Sequence, residues 1–541
     1  MRSTKASIVV FAFLGIGLSA NCAQPPAGSY QDLVTLNEEF LEFREVTTVD
    51  GVPDYSAETM KTREEKIPEF RRRLKSIDPE GWTIPQKVDY LVVNSKINQL
   101  EFDHRVTRLW ARDPSMYLNL VRRLPYAEVP IPQDEQAEFQ MRLKAVPEIL
   151  EQAKINLTAP VPDLAKVAIF LLENYDGVAQ GEPLRENPPD GTVGWYGDLV
   201  ERLTEPHSSL VPDALAALAA VEAYRDWLTD NLDGMTEAGG VGLDNFNWYL
   251  ENVLYAPYDT DDLRLFGERE LARWRTYLKI EENKNNHRGF PPLELATSKE
   301  EYDERVREAE RQIRALMEQQ ELLTLPPDTP PEFETDAYWR GGKTRHFWEE
   351  LKYRNAFDNH IHASIPGHRF DGFLGRKVTN PIRRNHYDGL RSEGWATYIE
   401  EMFLNAGLLD EVPRARELIY IALLKRAARV MAELKIHNGE FTLDQANQYI
   451  MDHVPYMEPN IGRYDLQIYV RRPSSGSQYL LGKIMMEKLI SERAGQLGEE
   501  FDLGAFHDEF HTKGIIPMSL IRWEMTGLDD EIRDIWEEVT R

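Results

Sequence analysis

Two histidines bracket a Pro-Gly pair in His362-Ala363-Ser364-Ile365-Pro366-Gly367-His368, and 25 residues further on a glutamate opens Glu393-Gly394-Trp395-Ala396. Two imidazoles and a carboxylate are the ligand set of a catalytic zinc ion, which keeps a further position open for water or substrate. In such sites the residue after the first histidine is commonly a glutamate that takes a proton from the zinc-bound water. Here that residue is Ala363. The sequence supplies candidate metal ligands, His362, His368 and Glu393, and withholds the usual base.

The spacing constrains the backbone that must carry these residues. His362 and His368 are six positions apart, which on a regular helix is a rotation of about 240° and would turn the rings to different sides. Proline cannot continue the hydrogen-bond ladder and glycine relaxes the chain, so Pro366-Gly367 predicts a break that returns His368 toward His362. Glu393 opens a helical segment in which residues 393, 397 and 400 fall on one stripe, so Glu393 and Glu400 face the same way. One of these carboxylates can bind metal while the other orients a ligand histidine or acts as a base. Glu401 reads as a solvated surface residue.

Other side chains could complete a site. Tyr479 could donate a hydrogen bond to a substrate carbonyl or oxyanion. His437 and His507 are candidates for acid-base or substrate-binding roles. Arg471-Arg472 could clamp a substrate carboxylate bidentately. The chain has no phosphate-cradling glycine loop, no Gly-x-Ser-x-Gly elbow and no cysteine nucleophile of that kind. Its single cysteine is Cys22, so disulfides cannot stabilise it.

The elements around these residues read as helix almost throughout, with few or no strands. Tyr302 to Gln320 places Val306, Ala309, Ile313, Leu316 and Met317 at three- and four-residue steps, with Thr297 and Glu300 as its capping box. Val211 to Leu228, rich in alanine and leucine, reads as a more buried helix. The loop Leu325-Pro326-Pro327-Asp328-Thr329-Pro330-Pro331 suggests a division into an N-terminal helical lobe, 23–325, and a C-terminal lobe, 332–541, that carries the metal motifs. The two lobes are expected to form one integrated unit.

Composition sets the broad class. With 541 residues, 42% hydrophobic and 28% charged, the chain has the make-up of a folded protein with a large core. A net charge of −28 spread along the chain argues against a nucleic acid partner, which demands a basic surface. Arg2 and Lys5 followed by the apolar run Ile8 to Leu18 predict a signal segment over 1–22, too short to span a bilayer. Ending as it does at Leu18-Ser19-Ala20-Asn21-Cys22, it resembles a lipoprotein signal that would leave a lipid anchor on Cys22. The alternative is ordinary cleavage into the periplasm. Removing residues 1–21 takes away two positive charges and no acid, leaving −30.

Taken together, His-x5-His with internal Pro-Gly and Glu-Gly-Trp-Ala-x-Tyr-x-Glu resemble the bacterial family called domain of unknown function 885. The likeness extends through Asn245 to Arg273, Arg429 to Ala446 with His437, and Pro473 to Gly482 with Gln478-Tyr479. It continues through Phe501-Asp502-Leu503, Phe506-His507-Asp508 and Gly514-Ile515-Ile516-Pro517. The resemblance implies an exported, mainly α protein with a large, cleft-containing, metallopeptidase-like fold. It also implies one zinc ion on His362, His368 and Glu393, and a peptide or small amide substrate. The chain departs from the family at Ala363, where the family has glutamate, and at Arg369-Phe370, where histidine or tyrosine is usual. The alanine leaves three explanations open: an inactivating replacement, a relative that uses its metal for something other than water attack, or another base such as Glu400 or His360. The functional expectation is accordingly a zinc metallopeptidase-like protein. A catalytically silent binder of peptide or metal at the cell envelope, and a lyase or isomerase built on the same scaffold, are the alternatives.

Overall fold

The computed structural model describes residues 28–174, 188–333 and 347–541; the expected signal segment 1–22, with Cys22, lies outside them. Helices follow one another along the described chain, and the only strands among the described residues are Thr48–Val49 and Val52–Pro53. They form an antiparallel ribbon in which Thr48 pairs with Pro53 and Val49 with Val52. The fold is mainly α, as the sequence periodicity predicts. No helix among the described residues is long and apolar enough to cross a membrane.

Local sequence explains the helix ends. The expected 302–320 helix runs Lys299–Gln319 and buries Tyr302, Val306, Ala309, Ile313 and Met317. Its cap differs from the expectation by one residue: Ser298 accepts from Glu301 N, and Thr297 N and Oγ1 both donate to Glu301, not Glu300. The Val211–Asn231 helix buries only the stripe Ala214, Ala217, Val221, Tyr224 and Leu228. Leu215 is 48% exposed, so this helix is amphipathic and not buried all round.

One apolar core runs from Leu33 through Val88–Phe102 and Val241–Ala256 to Ile361, Trp395, Leu481 and Ile532. Two helix pairs within the molecule matter for the site. The Gly389–Asn405 helix, which carries Glu393, lies against the Gln478–Leu497 helix, which carries Tyr479. Their closest approach is at Gly394 and Gly482, where a Cβ on Gly394 would stand 2.5 Å from the Gly482 carbonyl carbon. Only glycines allow backbones that close. The Ala415–His437 helix packs on Thr260–His287 and, on another face, turns a polar stripe toward the site.

Candidate metal centre

The chain around the first histidine leaves regular helix on both sides of the Pro-Gly pair. A π-helical turn spans His360–Ser364 and a new helix begins at His368, so the predicted break falls between them. Gly367 folds back so tightly that a Cβ there would lie 1.9 Å from the His362 carbonyl oxygen. Trp395 Nε1 donates to the Pro366 carbonyl at 2.9 Å and fixes the bend. The result is that the His362 and His368 rings meet edge to face, 4.8 Å between centroids.

Glu393 completes the cluster. Its Oε2 lies 3.5 Å from His362 Nε2 and 3.3 Å from His368 Nε2, and ligand atoms of the three residues all lie within 4.8 Å of one another. Ligands about 2.0–2.2 Å from a tetrahedral zinc stand about 3.3–3.6 Å apart, which the two separations between Glu393 and the histidines match. The same Oε2 is buried without a hydrogen-bond partner among the described residues. Without a metal its charge is balanced by the two imidazoles, and a bound cation could take over that role. These three residues could therefore hold a metal.

The outward nitrogens of both rings are engaged. His362 Nδ1 lies 2.7 Å from Glu400 Oε1, and His368 Nδ1 lies 3.2 Å from Ser392 Oγ. A proton on each Nδ1 would leave each Nε2 lone pair free for a ligand role, the arrangement in which a carboxylate or hydroxyl orients a metal-binding histidine. Glu400 is itself fully buried and gripped by Arg426, whose Nη1 and Nη2 each donate to one of its oxygens at 2.6 Å. Burial and the Arg426 guanidinium disfavour the imidazolium of His362, but Glu393 and Glu400 outweigh them and raise its pKa to about 9. Burial likewise works against the ionised Glu393 carboxyl, yet the two imidazoles hold it well below the usual carboxylate range.

A cavity of about 820 Å³ adjoins the cluster and takes in Glu393, Tyr479, Arg429, Arg471 and Arg472. The Tyr479 ring lies 6.3 Å from that of His362, nearly parallel to it, with Arg429 over its face at 4.8 Å. Burial raises the Tyr479 phenol far enough that it stays protonated at neutral pH. Arg471 is held on one side, its Nε donating to Asp113 at 2.5 Å and its Nη1 to Gln467 at 3.0 Å, while its Nη2 has no hydrogen-bond partner among the described residues.

The remaining candidates sit away from the cluster. His437 Nδ1 accepts from Val241 N at 3.2 Å, and burial lowers its pKa to about 3. His507 bonds the Leu322 carbonyl at 2.7 Å and Tyr398 at 3.1 Å, and burial lowers its pKa to about 4. Neither lines the cavity, and neither is placed for acid-base work there. His360, considered as a base, is held by Glu310 at 2.9 Å. Glu401 is not a solvated residue; it pairs with Arg273 at 2.6 Å and Lys483 at 2.7 Å. Sequence reasoning missed Arg426 and Ser392. The signal for Arg426 was present, since Lys425, Arg426 and Arg429 interrupt a run of isoleucine, leucine and alanine that has to be buried.

Fold and site together define a helical protein with a His-His-Glu cluster that meets a cavity through Glu393. The chain belongs to the family described as bacterial protein of unknown function DUF885, which matches residues 44–525. Two solved structures share the fold. One is a candidate lipoprotein of unknown function from Shewanella oneidensis, 17% identical over 92% of this chain and all of that one, with a TM-score of 0.69. The other is a candidate lipoprotein from Colwellia psychrerythraea, 14% identical over 94% of this chain and 99% of that one, with a TM-score of 0.67. Among curated proteins, none matches.

Proposed function

We propose that this chain is an exported zinc protein of the metallohydrolase type whose cavity takes a short peptide or another small amide. The observation that carries this reading is the convergence of His362 Nε2 and His368 Nε2 on Oε2 of Glu393, with both Nδ1 atoms engaged from behind. Zinc bound there would polarise a substrate carbonyl and make a bound water more acidic. Tyr479, protonated and on the cavity wall, supplies a donor for the carbonyl oxygen as charge develops on it. Export and a lipid anchor at Cys22 are supported by the basic and apolar segments before that cysteine and by the lipoprotein names of the two structural neighbours.

The proton acceptor is the weak point of a hydrolase. Ala363 has a methyl group where a carboxylate is usual, and the two substitutes are occupied, Glu400 by Arg426 and His360 by Glu310. That favours a second reading, in which the site binds metal and peptide with slow turnover or none. The lyase or isomerase reading loses its support, because His437 and His507 are packed elsewhere. Zinc loading of the full chain after chelator treatment, with metal content measured beside hydrolysis of a peptide library, separates the readings. About one zinc per chain with hydrolysis supports the first, and zinc with peptide retention and no hydrolysis supports the second. A folded chain that takes up no zinc overturns both.

A further inference from the structure

The cavity that takes in Glu393 and Tyr479 is also lined by Arg44, Lys96, Asp103 and Arg472. In a chain of net charge −28, several of the cations in and beside this cavity face an acid. Arg429 and Lys425 share Asp465, Arg471 holds Asp113, and Arg383 holds Asp89 and Glu524. Arg44 and Arg472 are exposed at this cavity, and neither has a carboxylate within ion-pair distance among the described residues. Lys96 adds a third positive charge and donates only to neutral groups, Asn37 Oδ1 at 2.8 Å and the Ile382 carbonyl at 2.9 Å. Asp103 also lines the cavity, and its Oδ1 accepts from Gln99 Nε2 at 2.9 Å and Thr107 Oγ1 at 3.3 Å.

The turn that presents Arg472 is built at some cost. Ser474 has a φ of 75°, a strained value for a residue with a side chain. The turn is held by Glu433, a fully buried carboxylate that accepts from Gly476 N at 2.9 Å and Ser477 N at 2.8 Å. Arg472 stands before this turn and Tyr479 just after it, both on the wall of one cavity, so their separation is fixed by a rigid piece of backbone. A cavity of about 820 Å³ has the size of a site for a small ligand, not for a folded chain.

We propose that the Arg44–Arg472 end of the cavity is a carboxylate subsite that receives the free C-terminus of a short peptide, while the peptide's amide lies beside Tyr479 and Glu393. Guanidinium groups suit this ligand because their planar donors match a carboxylate bidentately. The protein thus takes its peptide by the C-terminal end. The placing of the amide rests on the metal reading above; the carboxylate subsite does not.

The test uses the full chain, zinc-loaded and chelator-treated, dialysed against a random tripeptide pool with free C-termini or the same pool amidated. Retained peptides are read by mass spectrometry. The free-acid pool should bind about 10- to 100-fold more tightly, the usual worth of hydrogen bonds to a charged group. Arg472→Gln should bring the acid pool down to the level of the amide pool, and Arg472→Lys should restore part of the difference. Equal retention of acid and amide, no retention of either at millimolar concentration, or an unchanged preference in Arg472→Gln overturns the subsite. Equal retention with zinc bound sinks the subsite alone, whereas acid preference in a chain that takes no zinc sinks the metal reading alone.

Discussion

Glu400 Oε1 lies 2.7 Å from Nδ1 of His362, while the other nitrogen of that ring faces Glu393, seven residues earlier on the same helix. One helix thus addresses both nitrogens of one histidine, with one acid in position to bind metal and the other to orient the ring. Glu400→Gln should weaken zinc binding by about 10- to 100-fold, the usual cost of losing such a partner. The helical signal should be unchanged. A competitive chelator titration measures it, and an unaltered affinity would assign Glu400 to the Arg426 pair alone.

Ala363→Glu puts a proton acceptor beside the first histidine. Hydrolysis of peptides by the zinc-loaded chain should rise by roughly two to four orders of magnitude, the worth of a placed general base. Zinc content should stay the same because His362, His368 and Glu393 are untouched. Zinc retained with hydrolysis still at background would favour the binding protein.

The pH dependence follows from His362. Its pKa in the metal-free fold is about 9 against an ordinary 6.5, so the stability it contributes is complete below about pH 6.5 and is lost as the pH rises through 9. Metal requires the deprotonated ring, so zinc affinity should rise across the same window with release of protons. Denaturant midpoints of chelator-treated protein at pH 6.5 and 9.5 should fall in that order, and His362→Asn should flatten the slope. An equal slope in the variant would assign it to other groups.

Gly394→Ala places a methyl group 2.5 Å from the Gly482 carbonyl carbon, where only backbone movement can relieve it. Overpacking of this kind costs about 1–3 kcal/mol. Thermal unfolding should show the loss, and zinc affinity should fall with it because Glu393 is the adjacent residue. A variant as stable as the parent would mean that the two helices can part freely.

Much of this was legible in the sequence because it depends on local rules. Helical periodicity gave the mainly α fold, and Pro366-Gly367 gave the break that brings the two histidines together. The stripe 393, 397, 400 put two carboxylates on one side. What could not be read was pairing across distance. Nothing local tells that Glu401 finds Arg273 and Lys483, that Arg471 is held by Asp113, or that His437 caps a backbone amide near residue 241. Histidines look alike in a sequence whether they face a cavity or a core, and His507 belongs to the second kind.

The polar stripe of the Ala415–His437 helix works as a ruler. Arg426 sets Glu400, Arg429 lies over Tyr479, Glu433 pins the turn after Arg472 and His437 anchors the chain at Val241, at helical steps along one face. Adding or removing one residue between any two marks would turn the rest by about 100° and undo several partners together. The distance from the histidine cluster to the turn after Arg472 is therefore not free to drift gradually. Arg44 stands at the C-terminal end of the separate Tyr30–Arg44 helix, off this ruler. A change in the length of ligand the cavity could take would have to come from that wall, because the graduated one cannot shift in small steps.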